Sequence, residues 1–297
     1  MTVDAKAYWS AATPATGMLL VVAASLLWST GGLIVRELGA IDSWTIVFWR
    51  SLTAFAFLVA LGFVQDGAGF PRAVVRMGWP GVVIALCYTV ASIGFVVAAK
   101  LTTVAEVLTI FACAPLLAAL LGRFVLGERP PALGWLAMAA SVAGVGLMVS
   151  DSFAHGSIAG DLVAIAVACA VAVATVTFRK SSNVSLIPGV GLAALFATLL
   201  ALPFAHPWPL PVRDLGLLSF FGAGQLGLGL ALFASGARLI PAAQAAMLGL
   251  LEPLIGPLWV WLAFGERPSP AGLVGGGVVI AALVVFILAG LRKQVSK

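Results

Sequence analysis

The chain has 297 residues, of which 62% are hydrophobic and only 9% are charged, and its mean hydropathy is +1.14. Soluble domains carry roughly 25% charged residues, so a water-soluble fold could not cover this much apolar surface. The composition therefore predicts an all-α integral membrane protein. The pI near 9.5 comes without a basic patch interleaved with aromatic residues, which argues against a nucleic-acid partner.

Apolar length and the polar or Gly/Pro breaks predict ten transmembrane helices. They are expected at approximately 17–38, 42–64, 79–100, 103–125, 131–150, 160–178, 186–205, 215–238, 241–264 and 270–291. The loops are short, so no inserted soluble domain is expected. The N-terminal residues lack the basic region and the small-residue cleavage pattern of a signal peptide, so the first helix is expected to remain.

The chain contains an internal repeat with a shift of 138 residues. The tetrapeptide Gly-Glu-Arg-Pro at 127–130 recurs at 265–268, and each copy follows an apolar helix with a proline at the matching position, Pro115 or Pro253. Ungapped matches continue across three helices, which makes the repeat a stronger signal than the tetrapeptide alone. We expect one five-helix repeat at 17–150 and a second at 157–292.

Five spans per repeat is an odd number, so the second repeat is predicted to be inverted relative to the first. Such inverted repeats are typical of secondary transporters, because two related packings give inward-open and outward-open states. With the N-terminus inside, eleven Lys and Arg residues fall on the cytoplasmic side, four on the other side and one within a span. This asymmetry predicts cytoplasmic N- and C-termini.

Several stretches resemble a known family: Leu-Leu-Trp-Ser-Thr at 26–30, Arg50 in the second span, Leu-Glu-Pro-Leu at 251–254 and the twin Gly-Glu-Arg turns. They resemble the drug/metabolite transporter superfamily, and specifically its ten-helix bacterial exporters with two tandem EamA-type domains. The resemblance covers nearly the whole chain and is greatest to aromatic amino-acid exporters of the inner membrane. It implies a central cavity lined by helices one, three, four, six, eight and nine. One departure is that Ala114 occupies the position matching Glu252, so that carboxylate has no symmetric partner.

Polar and aromatic side chains inside the spans are the candidates for a substrate cavity. They are Trp28, Ser29, Thr30, Tyr88, Ser92, Gln225, Gln244 and Glu252. Trp28 lies in the middle of its span, where an interfacial aromatic belt does not explain it. An ionised Glu252 at the bilayer centre would cost roughly 2.5–3.5 kcal/mol, so it is expected to face protein or water. A functional role for Glu252 and a structural one, bonding backbone near Pro253, both stay open.

Bending is expected at Pro115 and Pro253 and at Gly227 and Gly229 in the glycine-rich eighth span. The turns at 100–103 and 238–241 are expected to close opposite mouths of the cavity.

Arg50 is interpreted as structural, either snorkelling or bonding helix-end carbonyls.

Spans five and ten carry few polar groups, and the tenth has small residues at Gly272 and Gly276. This spacing favours a scaffold role or a homo-oligomer contact.

Three classes of function compete: a carrier, an intramembrane enzyme, and a receptor or channel. The sequence has no HExxH, no GxSxG and no P-loop, so no catalytic residue, metal or cofactor is expected. Cys87, Cys113 and Cys169 are interpreted as small hydrophobic residues. The favoured reading is a secondary exporter of neutral or aromatic amino acids in the bacterial inner membrane, with export of drugs or other small metabolites as the alternative.

Overall fold

The computed structural model of the protein describes residues 13–39, 41–101, 107, 110–148, 150, 157–183, 186–265 and 270–295. Within these residues the fold consists of helices and turns and contains no strand. The α-helices are α1 Pro14–Ser29, α2 Gly31–Glu37, α3 Ser43–Asp66, α4 Phe70–Arg76, α5 Gly78–Leu101, α6 Ala114–Val125, α7 Ala132–Met148, α8 Ile158–Lys180, α9 Ile187–Ala201, α10 Val212–Ser219, α11 Gly229–Ala237, α12 Ala242–Gly249, α13 Leu251–Phe264 and α14 Pro270–Val295. A π-helix, Phe220–Leu228, joins α10 to α11, and 3₁₀ turns occupy Gly67–Gly69 and Leu202–Phe204.

Eight segments of the described chain are long and apolar enough to cross a membrane. They are Pro14–Glu37, Ser43–Arg76, Gly78–Ala98, Ile158–Lys180, Ile187–Phe204, Val212–Ala237, Ala242–Phe264 and Pro270–Ala289. The fourth and fifth of the ten expected spans correspond to two shorter apolar helices, Ala114–Val125 and Ala132–Leu147. Most of the first ten residues of the expected fourth span lie outside the described residues.

Large apolar side chains cover the outside of the helix bundle. Leu19, Val64 and Val75 are 70%, 82% and 81% exposed. Soluble monomers rarely expose contiguous apolar patches on this scale, whereas lipid solvates them well. The outer surface is therefore suited to hydrocarbon.

Several buried hydroxyl groups bond to helix carbonyls, which satisfies them without water. The Ser25 hydroxyl contacts the Val21 carbonyl oxygen at 2.9 Å and the Leu248 carbonyl oxygen at 3.1 Å. The Thr89 hydroxyl lies 2.7 Å from the Ala85 carbonyl oxygen and 3.3 Å from that of Ala193. These contacts link α1 to α12 and α5 to α9.

Two helices restart at positions that the repeat relates. α6 begins at Ala114 after a turn at residues 112–113, and α13 begins at Leu251 after a turn at Leu250. Pro115 and Pro253 lie in the first turns of these helices, where a residue without an N–H is tolerated. The breaks lie where bending was expected, and the hinge role itself stays a prediction.

The small residues of α14 contact other helices of the same chain. A Cβ on Gly144 of α7 would lie 2.9 Å from the Gly275 carbonyl oxygen, and one on Gly276 would lie 3.2 Å from Leu254. α7 and α14 pack along each other, and neither lines the cavity described below. The small residues of α14 at 275–276 thus pack within the same chain, as expected for a scaffold helix. A contact between copies of the chain stays a prediction.

The π-helix packs against α3 backbone to backbone. A Cβ on Gly222 would overlap the Thr53 hydroxyl and the Arg50 carbonyl oxygen, and one on Gly227 would lie 2.9 Å from the Phe57 ring. Only glycine permits the approach at Gly222. This contact fixes the depth at which the second and eighth spans meet.

We expect Gly222→Ala to destabilise the protein, because the added methyl group forces α3 and the π-helix apart. Overpacking of this kind typically costs about 1–3 kcal/mol. Gly216→Ala in α10 is the matched control, since a Cβ there meets no atom within 4 Å and alanine favours helix over glycine by about 1 kcal/mol. The thermal unfolding midpoint of each variant in one detergent gives the comparison. Equal midpoints for both variants would contradict the packing argument.

Candidate functional site

A cavity of about 220 Å³ lies at the centre of the bundle. Its aromatic lining residues are Trp28, Tyr88, Phe95, Phe111 and Phe233, and its polar ones are Arg50, Ser51, Ser92, Thr175, Gln225 and Glu252. Spans one, three, four, six, eight and nine contribute, as the family resemblance implied. Spans two and seven also contribute, through residues 50–51 of α3 and 193–197 of α9.

Aromatic rings on four helices form a continuous chain beside the cavity. The centroid of Trp28 lies 5.3 Å from that of Phe233, Phe233 lies 6.3 Å from Phe178, and Phe178 lies 6.0 Å from Tyr88. Gly229 leaves room for the Trp28 indole, since a Cβ there would overlap the ring. Such rings give a polarisable, apolar wall.

Arg50 lies on the cavity wall and bonds to a side chain rather than to helix-end carbonyls. Its Nη2 donates to the Ser92 hydroxyl oxygen at 3.0 Å, and its guanidinium carbon lies 5.3 Å from the centroid of the Phe221 ring. Among the described residues, its buried Nε has no hydrogen-bond partner. The sequence favoured a structural role for Arg50, either snorkelling or bonding helix-end carbonyls; the structure places Arg50 in the cavity lining, and its role in binding stays a prediction. A basic residue well inside a span was the signal that could have found this position, since such residues by default mark functional sites.

Glu252 lines the same cavity as Arg50 and lies two residues after the break at Leu250. Among the ion pairs and hydrogen bonds of the described residues, none within 4 Å involves the Glu252 carboxylate. The cavity thus holds a guanidinium and a carboxylate that do not neutralise each other by direct contact.

Gln225 has a structural contact as well as a place in the lining. Its Nε2 donates to the Trp28 carbonyl oxygen at 2.8 Å. α1 ends one residue later, at Ser29, and the chain turns at Thr30 before α2. The amide therefore satisfies a carbonyl at a helix end, where intrahelical donors run out.

Three of the candidate cavity residues are absent from the described lining. The Ser29 hydroxyl donates to the Leu26 carbonyl oxygen at 2.7 Å and accepts from Trp259 Nε1 at 2.9 Å. The Thr30 hydroxyl donates to the Leu27 carbonyl oxygen at 2.7 Å. The Gln244 amide lies 3.0 Å from the sulfur of Met18. The structure thus brings together Trp28, Tyr88, Ser92, Gln225 and Glu252, and it places these three elsewhere.

Positions 138 residues apart line the cavity in pairs. The pairs are Tyr88 and Leu226, Ser92 and Leu230, Phe95 and Phe233, Phe111 and Gly249, and Ala114 and Glu252. The two halves of the chain therefore present corresponding helix faces to one cavity. The chemistry of the faces differs, because the polar and aromatic members are distributed unequally.

Comparison with known proteins identifies the chain. A model described as the EamA-like transporter family matches residues 15–150 and again residues 158–288. The chain belongs to the EamA-like transporter family. It is thus a multi-pass membrane transporter of the drug/metabolite transporter superfamily.

Two relatives match this EamA-like transporter over nearly the whole length of both chains. A Bacillus subtilis protein named "uncharacterized transporter YwfM" is 30% identical over 288 residues, covering 93% of this chain and 95% of its own. An Archaeoglobus fulgidus protein named "uncharacterized transporter" is 26% identical over 274 residues, covering 91% and 95%. One solved crystal structure has a TM-score of 0.82 at 23% identity, covering 93% of this chain and 98% of that one. At that identity the likeness shows the fold alone.

One end of this EamA-like bundle is tied together by charged groups; we call it the Arg179 end. Glu128, in the first Gly-Glu-Arg turn, accepts from Arg179 Nε at 3.2 Å and from the backbone N–H of Ala242 at 3.0 Å. Arg179 Nη1 donates to the Arg238 carbonyl oxygen at 3.0 Å, and Arg238 donates to the carbonyl oxygen of Ser182. These bonds connect the loop after α6, the end of α8, the turn after α11 and the start of α12.

The opposite end, which we call the Glu37 end, has a more exposed arrangement. Arg213 pairs with Glu37, and their side chains are 66% and 37% exposed, against 35% and 20% for Arg179 and Glu128. The Arg36 guanidinium carbon lies 5.3 Å from the centroid of Phe264, beside the second Gly-Glu-Arg turn. Glu266 and Arg267 of that turn, and Thr102 and Thr103 of the matching turn at 100–103, lie outside the described residues.

We expect Glu128→Ala to lower stability by about 1–3 kcal/mol, because it leaves Arg179 and the Ala242 N–H without a half-buried charged acceptor. Glu37→Ala is the control: it removes the exposed pair with Arg213, and exposed pairs contribute about 0–1 kcal/mol. Unfolding midpoints of purified protein, measured at low and at high salt, compare the two. An equal loss in both variants would show that the Glu128 contacts add nothing beyond an exposed ion pair.

Proposed function

We propose that the chain is a secondary transporter that exports neutral and aromatic amino acids across the bacterial inner membrane by alternating access. The observation that carries the proposal is the central cavity, which combines an aromatic wall with a few polar and charged groups. Its volume of about 220 Å³ is below the roughly 300–1,000 Å³ of pockets that take drug-sized ligands. This size favours a small metabolite over the bulky cargo of a multidrug exporter.

The proposed architecture is ten spans in two inverted five-helix repeats, 17–150 and 157–292, with both termini in the cytoplasm. The twofold match of the family model supports the two repeats, as do the cavity positions 138 residues apart. The excess of Lys and Arg on one side supports the orientation. In this orientation the Arg179 end faces the cytoplasm.

The proposed cycle opens one end of the cavity while the other closes. The Glu128, Arg179 and Arg238 contacts would hold the cytoplasmic mouth closed in the conformation described. Opening would release the turn at 238–241, with bending at the helix breaks beside Pro115 and Pro253 and at Gly227 and Gly229. Both end states then have to be close in free energy, which paired repeats favour.

The transport proposal is tested by counterflow into liposomes that hold purified protein and are loaded with phenylalanine, tryptophan, threonine or a cationic dye. We expect saturable exchange of the aromatic amino acids. Trp28→Ala and Tyr88→Ala should each weaken the apparent affinity several-fold, because an ammonium group against an aromatic ring contributes about 0.5–2 kcal/mol.

The controls for these variants are Trp79→Ala and Phe124→Ala, whose side chains are 73% and 77% exposed on the outside of the bundle. They should leave counterflow unchanged. Transport of the dye without any amino acid would replace the proposal with multidrug export. If neither the amino acids nor the dye is exchanged, both the amino-acid proposal and the multidrug alternative are overturned.

Alternating access is tested with spin-label pairs at the two ends. One pair replaces Lys180 and Pro241 at the Arg179 end, and the other replaces Ser43 and Leu101 at the Glu37 end; all four residues are exposed. We expect the two distance distributions to move in opposite directions when substrate is added. Simultaneous widening of both ends would indicate a channel-like opening and contradict the cycle.

A further inference from the structure

The cavity wall contains one guanidinium and one carboxylate that the protein leaves partly unsatisfied. A guanidinium has several N–H donors and needs acceptors for them when it leaves water. Within the described chain, the Ser92 hydroxyl is the acceptor that Arg50 reaches, through Nη2 at 3.0 Å. The Phe221 ring 5.3 Å away offers a cation a favourable face but no hydrogen-bond acceptor. Arg50 thus keeps donors for a further acceptor.

The Glu252 carboxylate also has unused hydrogen-bonding capacity, in this case as an acceptor. A carboxylate has acceptor capacity for several donors, yet no hydrogen bond from the described residues reaches it, and Arg50 is not within 4 Å of it. The two groups nevertheless line one cavity. Opposite charges kept apart in an apolar bundle cost free energy that direct pairing would recover. A molecule between them that presents both charges would recover it as well.

We propose that Arg50 binds the carboxylate and Glu252 the ammonium group of a zwitterionic substrate. This inference rests on the proposed function, because it assigns the charge recognition within that cavity. The pair has no net charge, so a zwitterion satisfies both groups, whereas a simple anion or cation leaves one of them unpaired. Trp28, Phe111 and Phe233 of the same lining form the surface for an apolar side chain.

The pair also fixes the direction in which the substrate lies. The repeat places Pro188 opposite Arg50 and Ala114 opposite Glu252, so neither charge has a counterpart in the other half. The cavity therefore has one polar axis. The substrate binds in a single orientation, with its carboxylate toward α3 and its ammonium group toward α13.

The test compares three ligands that share a phenyl ring: phenylalanine, 3-phenylpropionate without the ammonium group, and 2-phenylethylamine without the carboxylate. Binding is measured by titration calorimetry on purified protein in nanodiscs. Wild type should bind phenylalanine at least about ten-fold more tightly than either analogue, since each analogue lacks one of the two charged hydrogen bonds. If wild type binds 3-phenylpropionate as tightly as phenylalanine, the assignment of Glu252 is overturned. If it binds 2-phenylethylamine as tightly as phenylalanine, the assignment of Arg50 is overturned.

The variants separate the two roles. Arg50→Gln should lose the preference for phenylalanine over 2-phenylethylamine, while Glu252→Gln should lose the preference over 3-phenylpropionate. Arg50→Lys should restore part of the carboxylate preference. Arg213→Gln and Glu37→Gln, at the exposed pair outside the cavity, should keep the wild-type order of ligands. An unchanged order in both cavity variants would overturn the inference.

The outcome for wild type distinguishes this inference from the proposed function. Counterflow of phenylalanine by wild type, together with an unchanged ligand order in Arg50→Gln and Glu252→Gln, removes the charge assignment and keeps amino-acid export. Absence of both binding and counterflow of amino acids removes the two together. Where a variant does not elute as a monodisperse protein, the order of the three ligands in wild type decides alone.

Discussion

The contact between the π-helix and α3 determines where the charged group of the cavity lies. Gly222 has no Cβ, so its backbone packs on the carbonyl oxygen of Arg50. Phe221, the preceding residue, then lies beneath the guanidinium. Gln225, one turn further along, reaches the Trp28 carbonyl and fixes the end of α1. A π-helix changes the register of side chains relative to an α-helix, and such segments are frequent at functional sites. One close backbone approach therefore positions the cation, the ring beneath it and the neighbouring helix end.

In the proposed function, the selectivity of the cavity would follow from the low polarity of the bundle. The hydroxyl groups of Ser25 and Thr89 donate to helix carbonyls. Few polar side chains of the bundle therefore face the cavity. A polar group that lines the cavity interacts more strongly in a low local dielectric than it would in water. In the proposed binding mode, one guanidinium and one carboxylate in a cavity of about 220 Å³ would distinguish charged forms of ligands of the same shape. The aromatic rings would discriminate less, since they would accept any apolar side chain that fits.

Much of the fold was predictable from sequence, because lipid imposes simple rules on helix length and composition. The repeat also predicted the related breaks before Pro115 and Pro253. The side chains that share the cavity were harder to predict, because helical periodicity gives a face but not its neighbour. Ser29 and Thr30 adjoin Trp28 in sequence, yet α1 ends there and their hydroxyls bond backbone. Arg50 required tertiary information, since the ring and hydroxyl that hold it come from other helices.

The two ends of the bundle differ in how much their opening would cost. At the Arg179 end, Glu128 satisfies both a guanidinium and a backbone N–H at the start of α12, where a helix favours a negative charge. At the Glu37 end, the pair with Arg213 is more exposed, and solvent and salt weaken it. Breaking the first network exposes several bonds together, so in the proposed cycle it would contribute more to a closed state than the second. In the proposed cycle, substrate therefore has to offset an asymmetric cost, and the two unmatched charges of the cavity are the groups through which its binding energy could do so.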